Sequence, residues 1–379
     1  MGNSILHIIK DEKFFDGISE LYDNISEISN TYLLIVEEQN YKFKYIKNTS
    51  RVTLCSNHEE LKKILSSKTY DIVLFHSLYF IYMYYLFKYI RPDVKIIWWS
   101  WGYEIYSHTY SVPAIIDIQL FKPLTKKIYN KITGEGNLIY YIKYFIDLIF
   151  QKHIRQKRIK KILSRIDYMI PVLECERDLI RKKYDCFHAK LLYHPTVIPE
   201  SGFSGMPSKD NILIGNSAIL TNNHLDIWNQ ITSLELTNRT FYFPVNYGSQ
   251  TYKDLLKNHI KSESNTIIFI EDFMKIDKYF SILKSCSFAI YGVMRQQAMG
   301  NINYCLENGI KLFLYKQSIP YLDLKKNGFI IFSIEDDLNK EQLNIPLSLD
   351  EALINYRLIR SRRKKKMECF NDFLKEIRN

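Results

Sequence analysis

The stretch YGVMRQQAMGNI, Tyr291 to Ile302, follows an apolar run from Ser287 to Tyr291 that reads as a buried strand, and it leads into a helical pattern from Gln296. Arg295, Gln296 and Gln297 are poor core material and good hydrogen-bond donors, and Gly300 admits close approach. That combination suits an anion held at a helix N-terminus. The Arg295 guanidinium adds a full charge and a planar fork of donors matched to a phosphate. A lone Arg at a helix start is more often a solvated surface residue, so the reading depends on what accompanies it.

Two other strand exits accompany it. In ILIGNSAILTNNH, Ile212 to His224, Gly215 lets the backbone approach a ligand, Asn216 and Ser217 donate, and Asn222 or Asn223 can cap a helix. In FPVNYGSQTY, Phe241 to Tyr252, Asn246, Tyr247 and Gly248 form a turn before a helix that can start at Thr251. Three polar exits in one region favour a nucleotide diphosphate site over three solvated loops. Earlier in the chain, His76 ends the run DIVLFHS and Glu104 lies in WWSWGYEIY, Trp98 to Tyr106. Ring faces of Trp98, Trp99 and Trp101 suit sugar C–H surfaces, and Glu104 or His76 can take a proton from an attacking hydroxyl. The bland alternatives are core-filling tryptophans and a satisfied core histidine.

The elements that must position these residues alternate. SILHIIK, YLLIVEE, DIVLFHS, KIIWWSWG, DYMIPV and AKLLYHP read as strands, with helices over His58 to Ser66 and Leu78 to Ile90. The alternation implies parallel βαβ units. A Pro/Gly/Ser-rich stretch from Pro195 to Asp210 has no apolar period, and after it the alternation restarts with NILIGNSA, TFYFPVNYG, NTIIFIED, SFAIYGV, KLFLYK and FIIFS. The expected organisation is an amino-terminal Rossmann-like domain over 1–196, a linker over 197–210, a nucleotide-sugar domain over 211–348 and a basic helix over 349–379. At 379 residues, two cores are the natural expectation.

Charge and composition narrow the class. A net charge of +11 calls for a polyanionic neighbour: nucleic acid, anionic lipid or phosphate-bearing substrate. From Thr125 to Arg165, eleven Lys/Arg face only Glu135 and Asp147, and the aromatic segment Leu138 to Phe150 precedes KHIRQKRIKK. That order suits helices at an anionic membrane surface. A second run, Arg357 to Lys366, holds seven basic residues. Six scattered cysteines without a CxxC pair read as reduced thiols of a cytoplasmic protein. No signal peptide and no run of about 18 apolar residues is seen. Neither a G-x-G-x-x-G fingerprint nor a P-loop occurs. No Asp-x-Asp pair occurs either, so no metal is indicated at the diphosphate and Arg295 with helix dipoles must supply the positive field.

Together, Phe75-His76, WSWGYEIY with Trp101-Gly102, LLYHPT, ILIGNSA with NNH, Tyr247-Gly248 and above all RQQAMGNI resemble the bacterial TDP-Fuc4NAc:lipid II Fuc4NAc transferases, glycosyltransferase family 56. The resemblance runs from about His76 to Asp336. It implies an α/β, GT-B architecture of two Rossmann-like domains facing a cleft, with the donor nucleotide on the carboxyl-terminal one. It implies a hexosyltransferase using a dTDP-sugar, with no separate cofactor, acting on an undecaprenyl-diphosphate-linked saccharide in enterobacterial common antigen assembly. The place implied is the cytoplasmic face of the inner membrane. Carried over residue by residue, Gly215, Asn216, Ser217, His224, Tyr247, Gly248, Arg295, Gln296, Gln297 and Asn301 are donor-site candidates, and His76 and Glu104 are catalytic candidates. Where the family pattern has Trp-Gly-Ala-Asp, this chain has Trp101-Gly102-Tyr103-Glu104, and the family's Phe-Pro is His194-Pro195. These departures make an O-antigen or capsule pathway, or another sugar nucleotide, as natural as common antigen. The rivals from other classes are a nucleic-acid-binding protein using the basic runs, with no nucleic-acid motif to support it, and a non-catalytic sugar-nucleotide sensor.

Overall fold

The computed structural model describes residues 4–38, 40–67, 69–78, 84–106, 115–133, 154, 156–194 and 202–378. The expected membrane segment Leu138 to Phe150 and the first part of the expected linker, 197–201, lie outside the described residues. The chain divides into two compact units. One comprises Met1–Asp117, Tyr144–Val197 and Lys364–Asn379, the other Ile118–Lys143 and Ile198–Arg363.

The first unit is built on a seven-stranded sheet in the order β3-β2-β1-β4-β5-β6-β7. Its strands are β1 (Ser4–Ile9), β2 (Ser29–Ile35), β3 (Val52–Cys55), β4 (Ile72–Phe75), β5 (Lys95–Trp99), β6 (Tyr168–Ile170) and β7 (Lys190–Leu191). Every pairing is parallel. A parallel sheet is covered on both faces, which is why IVLF and IIWW read as continuous apolar runs. The second sheet has six parallel strands, β8 (Asn211–Ile214), β9 (Thr240–Pro244), β10 (Thr266–Ile270), β11 (Cys286–Tyr291), β12 (Lys311–Leu314) and β13 (Phe332–Ser333), ordered β10-β9-β8-β11-β12-β13. In both sheets the order reverses beside the first strand, between β1 and β4 and between β8 and β11. Such switch points open a crevice at the carboxyl ends of the strands, where α/β sheets bind ligands.

The helices used below are α1 (Phe15–Asp23), α2 (His58–Ser66), α3 (Pro123–Thr133), α4 (Cys175–Lys183), α5 (His224–Thr232), α6 (Gln250–His259), α7 (Ile276–Lys284), α8 (Met299–Glu307), α9 (Ile319–Lys326) and α10 (Leu349–Arg378). Their starts follow local chemistry. Asn57 accepts from the Glu59 N–H at the start of α2, Ser249 from that of Tyr252 before α6, and Ser318 from that of Tyr321 before α9. Leu61 and Leu65 in α2, and Tyr252 and Leu256 in α6, are buried four residues apart on the sheet-facing side.

Four expectations change. Of the helix expected over Leu78 to Ile90, the described part 84–90 is a turn with one 3₁₀ segment, Leu86–Lys88. Its Tyr84, Tyr85, Phe87 and Tyr89 are residues that lose rotamer freedom in a helix. Helix α3, placed by sequence in the amino-terminal domain, packs with the second unit. The Asp226 carboxylate of α5 accepts the backbone N–H groups of Leu124 and Thr125 at 2.9 Å each, and Tyr129 joins that unit's core. The helix expected from Gln296 begins at Met299, because Ala298 takes a left-handed conformation with φ of 59° and ends the loop there. Strand β3 lacks a clear apolar period and had no counterpart in the sequence reading. The carboxyl-terminal helix forms over Leu349–Arg378, with Ile359 in the core of the second unit and Phe370, Phe373 and Leu374 in that of the first.

Candidate functional site

At the switch point of the second sheet the loops after β8, β9 and β11 are joined by side chains. The Asn216 amide donates to the Tyr247 hydroxyl at 2.8 Å. The Gln297 amide donates to the Asn216 oxygen at 3.4 Å, and the Thr221 hydroxyl donates to the Gln297 oxygen at 2.6 Å. Burial pushes the Tyr247 hydroxyl upward, opposed by a hydrogen bond with Ser217 and by the nearby Arg295 charge. The Arg295 guanidinium also donates to the Gln296 carbonyl at 2.8 Å. The structure therefore brings Asn216, Tyr247, Arg295 and Gln297 together.

The same network leaves capacity for a ligand. Among the described residues, the side-chain oxygen of Gln296 is buried without a hydrogen-bond partner. Helix α8 starts with no side-chain cap, so the N–H groups of its first turn retain their capacity for an anion. Within that turn Asn301 donates to the Tyr279 hydroxyl at 2.7 Å, which ties it to α7. Tyr247 is 41% exposed and lies nearly parallel to Phe273, itself 77% exposed, with ring centroids 6.5 Å apart. Phe273 was not singled out by sequence, although an aromatic two residues past the polar exit of β10 is a visible signal.

Four of the expected donor residues have other work. His224 is completely buried, and burial pulls its pKa down to about 3. A Cβ at Gly215 would fall 2.3 Å from the His224 Nε2 atom, and Gly215 has φ of 70°. The glycine is therefore required by the histidine packed beneath it, and His224 shapes the loop from below. A Cβ at Gly248 would fall 2.3 Å from the Ala218 carbonyl oxygen, so this glycine lets the β9 loop close on the β8 loop. Ser217 is buried and accepts from Asn222 at 3.1 Å.

The switch point of the first sheet carries the other candidates. His76, one residue past β4, is buried, and its Nε2 lies 3.0 Å from His7 Nδ1 on β1. Burial pushes the His76 pKa well below its usual value, helped by His7 and His194 nearby, and burial brings His7 to about 4. Burial thus favours the neutral form of both imidazoles. Ser77 follows with φ of 135°, a conformation unusual outside glycine and often found beside functional groups.

Glu104 is held by one oxygen. Its Oε1 accepts from the Trp101 backbone N–H at 3.0 Å and from the Trp98 indole at 3.3 Å, while Oε2 is buried and unpartnered. Burial raises its pKa, opposed by those donors and by Lys10. Lys10 donates to the Tyr103 hydroxyl at 2.6 Å. Burial brings Lys10 down to about 8, against Glu104 and Glu12, and brings Glu12 up to about 7, against Lys10. A Lys and a Glu shifted toward each other at strand exits form a pattern that functional sites share with structural ion pairs. Lys10, Glu12 and His7 were missed because LHIIKDE reads as an ordinary strand and its solvated end. Trp98 and Trp99 are buried and cannot offer ring faces to a sugar, while half-buried Trp101 stacks between Phe14 and Trp99.

Among the described residues, no group of His, Cys, Asp and Glu could hold a metal ion, and no helix is long and apolar enough to cross a membrane.

The fold is shared with solved structures at low identity. The N-terminal domain of the trehalose-6-phosphate phosphatase of Candida albicans matches at 9% identity and TM-score 0.55, covering 100% of this chain and 97% of that one. A glycosyltransferase from Rickettsia africae ESF-5 matches at 11% and 0.52, covering 99% and 98%. The O-GlcNAc transferase of Thermobaculum terrenum matches at 10% and 0.51, covering 99% and 66%. The two-sheet architecture is that of the GT-B glycosyltransferases. In sequence, residues 148–346, more than half of the chain, match the family described as 4-alpha-L-fucosyltransferase, glycosyl transferase group 56. That stretch contains the β8, β9 and β11 exits together with Arg295, and the chain is therefore a glycosyltransferase belonging to the group 56 family.

Proposed function

We propose that this glycosyltransferase moves an N-acetylated amino-deoxyhexose, Fuc4NAc or a close relative, from a dTDP-sugar to a hydroxyl of an undecaprenyl-diphosphate-linked saccharide. In this reading it works as a peripheral protein on the cytoplasmic face of the bacterial inner membrane, in the assembly of enterobacterial common antigen or O-antigen. The observation that carries the donor half is the joined set Asn216, Tyr247, Arg295 and Gln297, set beside the uncapped start of α8. The diphosphate sits on the N–H groups of α8 with Arg295 across it, and the positive field stabilises the charge that grows on the leaving group. The unpaired Gln296 oxygen receives an N–H or O–H of the donor. Tyr247 and Phe273 offer a flat apolar surface to the base.

His76 is the base. One oxygen of Glu104 is committed to its own loop, whereas His76, among the described residues, keeps a ring nitrogen beyond its bond to His7. As His76 takes the hydroxyl proton, the acceptor oxygen bonds to the anomeric carbon and the bond from that carbon to the diphosphate oxygen breaks. The electron pair leaves with dTDP. Such a single displacement inverts the anomeric carbon.

The test is thermal stabilisation of the purified full chain by a panel of nucleotides and sugar nucleotides, with Arg295→Ala beside the wild type. At a hundredfold excess over Kd, binding to the native state adds about 2.7 kcal/mol. Stabilisation by dTDP that Arg295→Ala removes is the expected result. Folded protein that no nucleoside diphosphate stabilises would overturn the donor assignment, and a preference for another nucleotide would replace dTDP with it.

A further inference from the structure

We propose that His7 and Asn30 are positioning residues that fix the tautomer of His76, so that its Nδ1 atom is the one that receives the acceptor proton. The proposal rests on the reading of His76 as base. Its geometry can be followed atom by atom. The Asn30 side-chain nitrogen donates to the Tyr22 carbonyl at 3.1 Å, so its oxygen is the atom that faces His7 Nε2, also at 3.1 Å. A carbonyl oxygen only accepts, so His7 Nε2 carries the proton. Neutral His7 then has a bare Nδ1, and that atom, 3.0 Å from His76 Nε2, must accept from it. His76 Nε2 therefore carries the proton and its Nδ1 is bare. Among the described residues, the bond to His7 is the hydrogen bond that the His76 ring makes.

The opposite arrangement is costly. It would set a bare His7 Nε2 against the Asn30 oxygen, two acceptors facing each other in a buried place. Packing holds the rings in these orientations. His7 lies 4.8 Å from Tyr22 and 4.6 Å from Tyr32, and His76 lies 5.4 Å from Trp99, which in turn lies 4.0 Å from His194 at a tilt of 33°. The titratable groups around the pair are thus His194, Tyr22 and Tyr32. The carboxylate of Asp23 is turned to the Tyr32 hydroxyl at 2.9 Å. When His76 Nδ1 gains the proton, the ring stays bonded through Nε2–H to the His7 lone pair, and the bond strengthens as it becomes charged.

Two substitutions of His7 separate positioning from packing. His7→Asn keeps an acceptor near the Nδ1 position, whereas His7→Phe keeps the ring and loses the acceptor. The expected result is a kcat roughly tenfold to a hundredfold lower for His7→Phe, with KM little changed, and substantial recovery in His7→Asn. The dTDP-induced stabilisation should be unchanged in both, which shows an intact fold and donor site. Equal kcat in the wild type and a folded His7→Phe overturns the proposal, as does equal loss in both variants. Should the wild type turn over no dTDP-sugar, the reading of function fails and the tautomer is judged alone. Long-range proton–nitrogen correlation spectra of the histidine-labelled chain, with His76→Gln for assignment, then show Nε2–H on His76 if the proposal holds, and Nδ1–H if it does not.

Discussion

One oxygen of the Glu104 carboxyl group fastens the loop after β5, and this decides what its replacement should do. In Glu104→Gln the amide oxygen can still accept from the Trp101 N–H and the Trp98 indole, so the loop should stand and activity should fall by less than about tenfold. In Glu104→Ala the part-buried Trp101 N–H and the Trp98 indole both lose this acceptor, at about 1–3 kcal/mol in all, and the melting temperature should drop by several degrees. Loss of activity in a stably folded Glu104→Gln comparable to that of His76→Ala would return the role of base to Glu104. Sequence could place Glu104 and His76 at strand exits because a polar residue closing an apolar run is conspicuous. It could not find His7, whose polarity is satisfied sideways across β1 by Asn30 and His76, residues 23 and 69 positions away. A mid-strand histidine looks the same in a sequence whether it only fills space or holds a neighbour.

At the scale of elements, the loop after β8 and the start of α5 are one packed object. Gly215→Ala meets two penalties, a Cβ in the left-handed region and a 2.3 Å contact with His224 Nε2, and should cost on the order of 1–3 kcal/mol in chemical unfolding. Shortening the histidine removes only the contact. Gly215→Ala combined with His224→Ala should therefore be less destabilised than the sum of the single changes. Strict additivity would show that the backbone conformation alone demands the glycine. The strands of both sheets other than β3, and the helices α2 and α6, were legible because an apolar period runs along them and a cap opens each of the two helices. The start of α8 was not, because Gln296 and Gln297 are good helix formers and only the left-handed turn at Ala298, held by tertiary packing, delays the helix to Met299.

For the whole molecule the question is where the excess positive charge is spent. Composition makes the Thr125 to Arg165 segment and the Arg357 to Lys366 run look alike, and packing tells them apart. Arg362 pairs with Asp323, and Arg363 pairs with Glu307. Both carboxylates are buried, and the arginine side chains are only 16% and 12% exposed. These cations hold α10 to α9 and α8 and have little left for a membrane. Lys157, Lys160 and Lys161, by contrast, are exposed, while Ile159, Ile162 and Leu163 beside them are buried. Arg363→Ala should take from buried Glu307 its partner on α10 and destabilise the fold by about 3–5 kcal/mol, with binding of the folded fraction to anionic vesicles unchanged. Neutralising Lys157, Lys160 and Lys161 to Gln should leave the melting temperature within a few degrees. Sedimentation with phosphatidylglycerol vesicles should weaken by about 1 kcal/mol for each charge near the surface, less so as salt is raised. If the triple change leaves vesicle binding intact and Arg363→Ala reduces it, the membrane surface of this protein lies on α10, and the ion pairs drawn above must open to meet it.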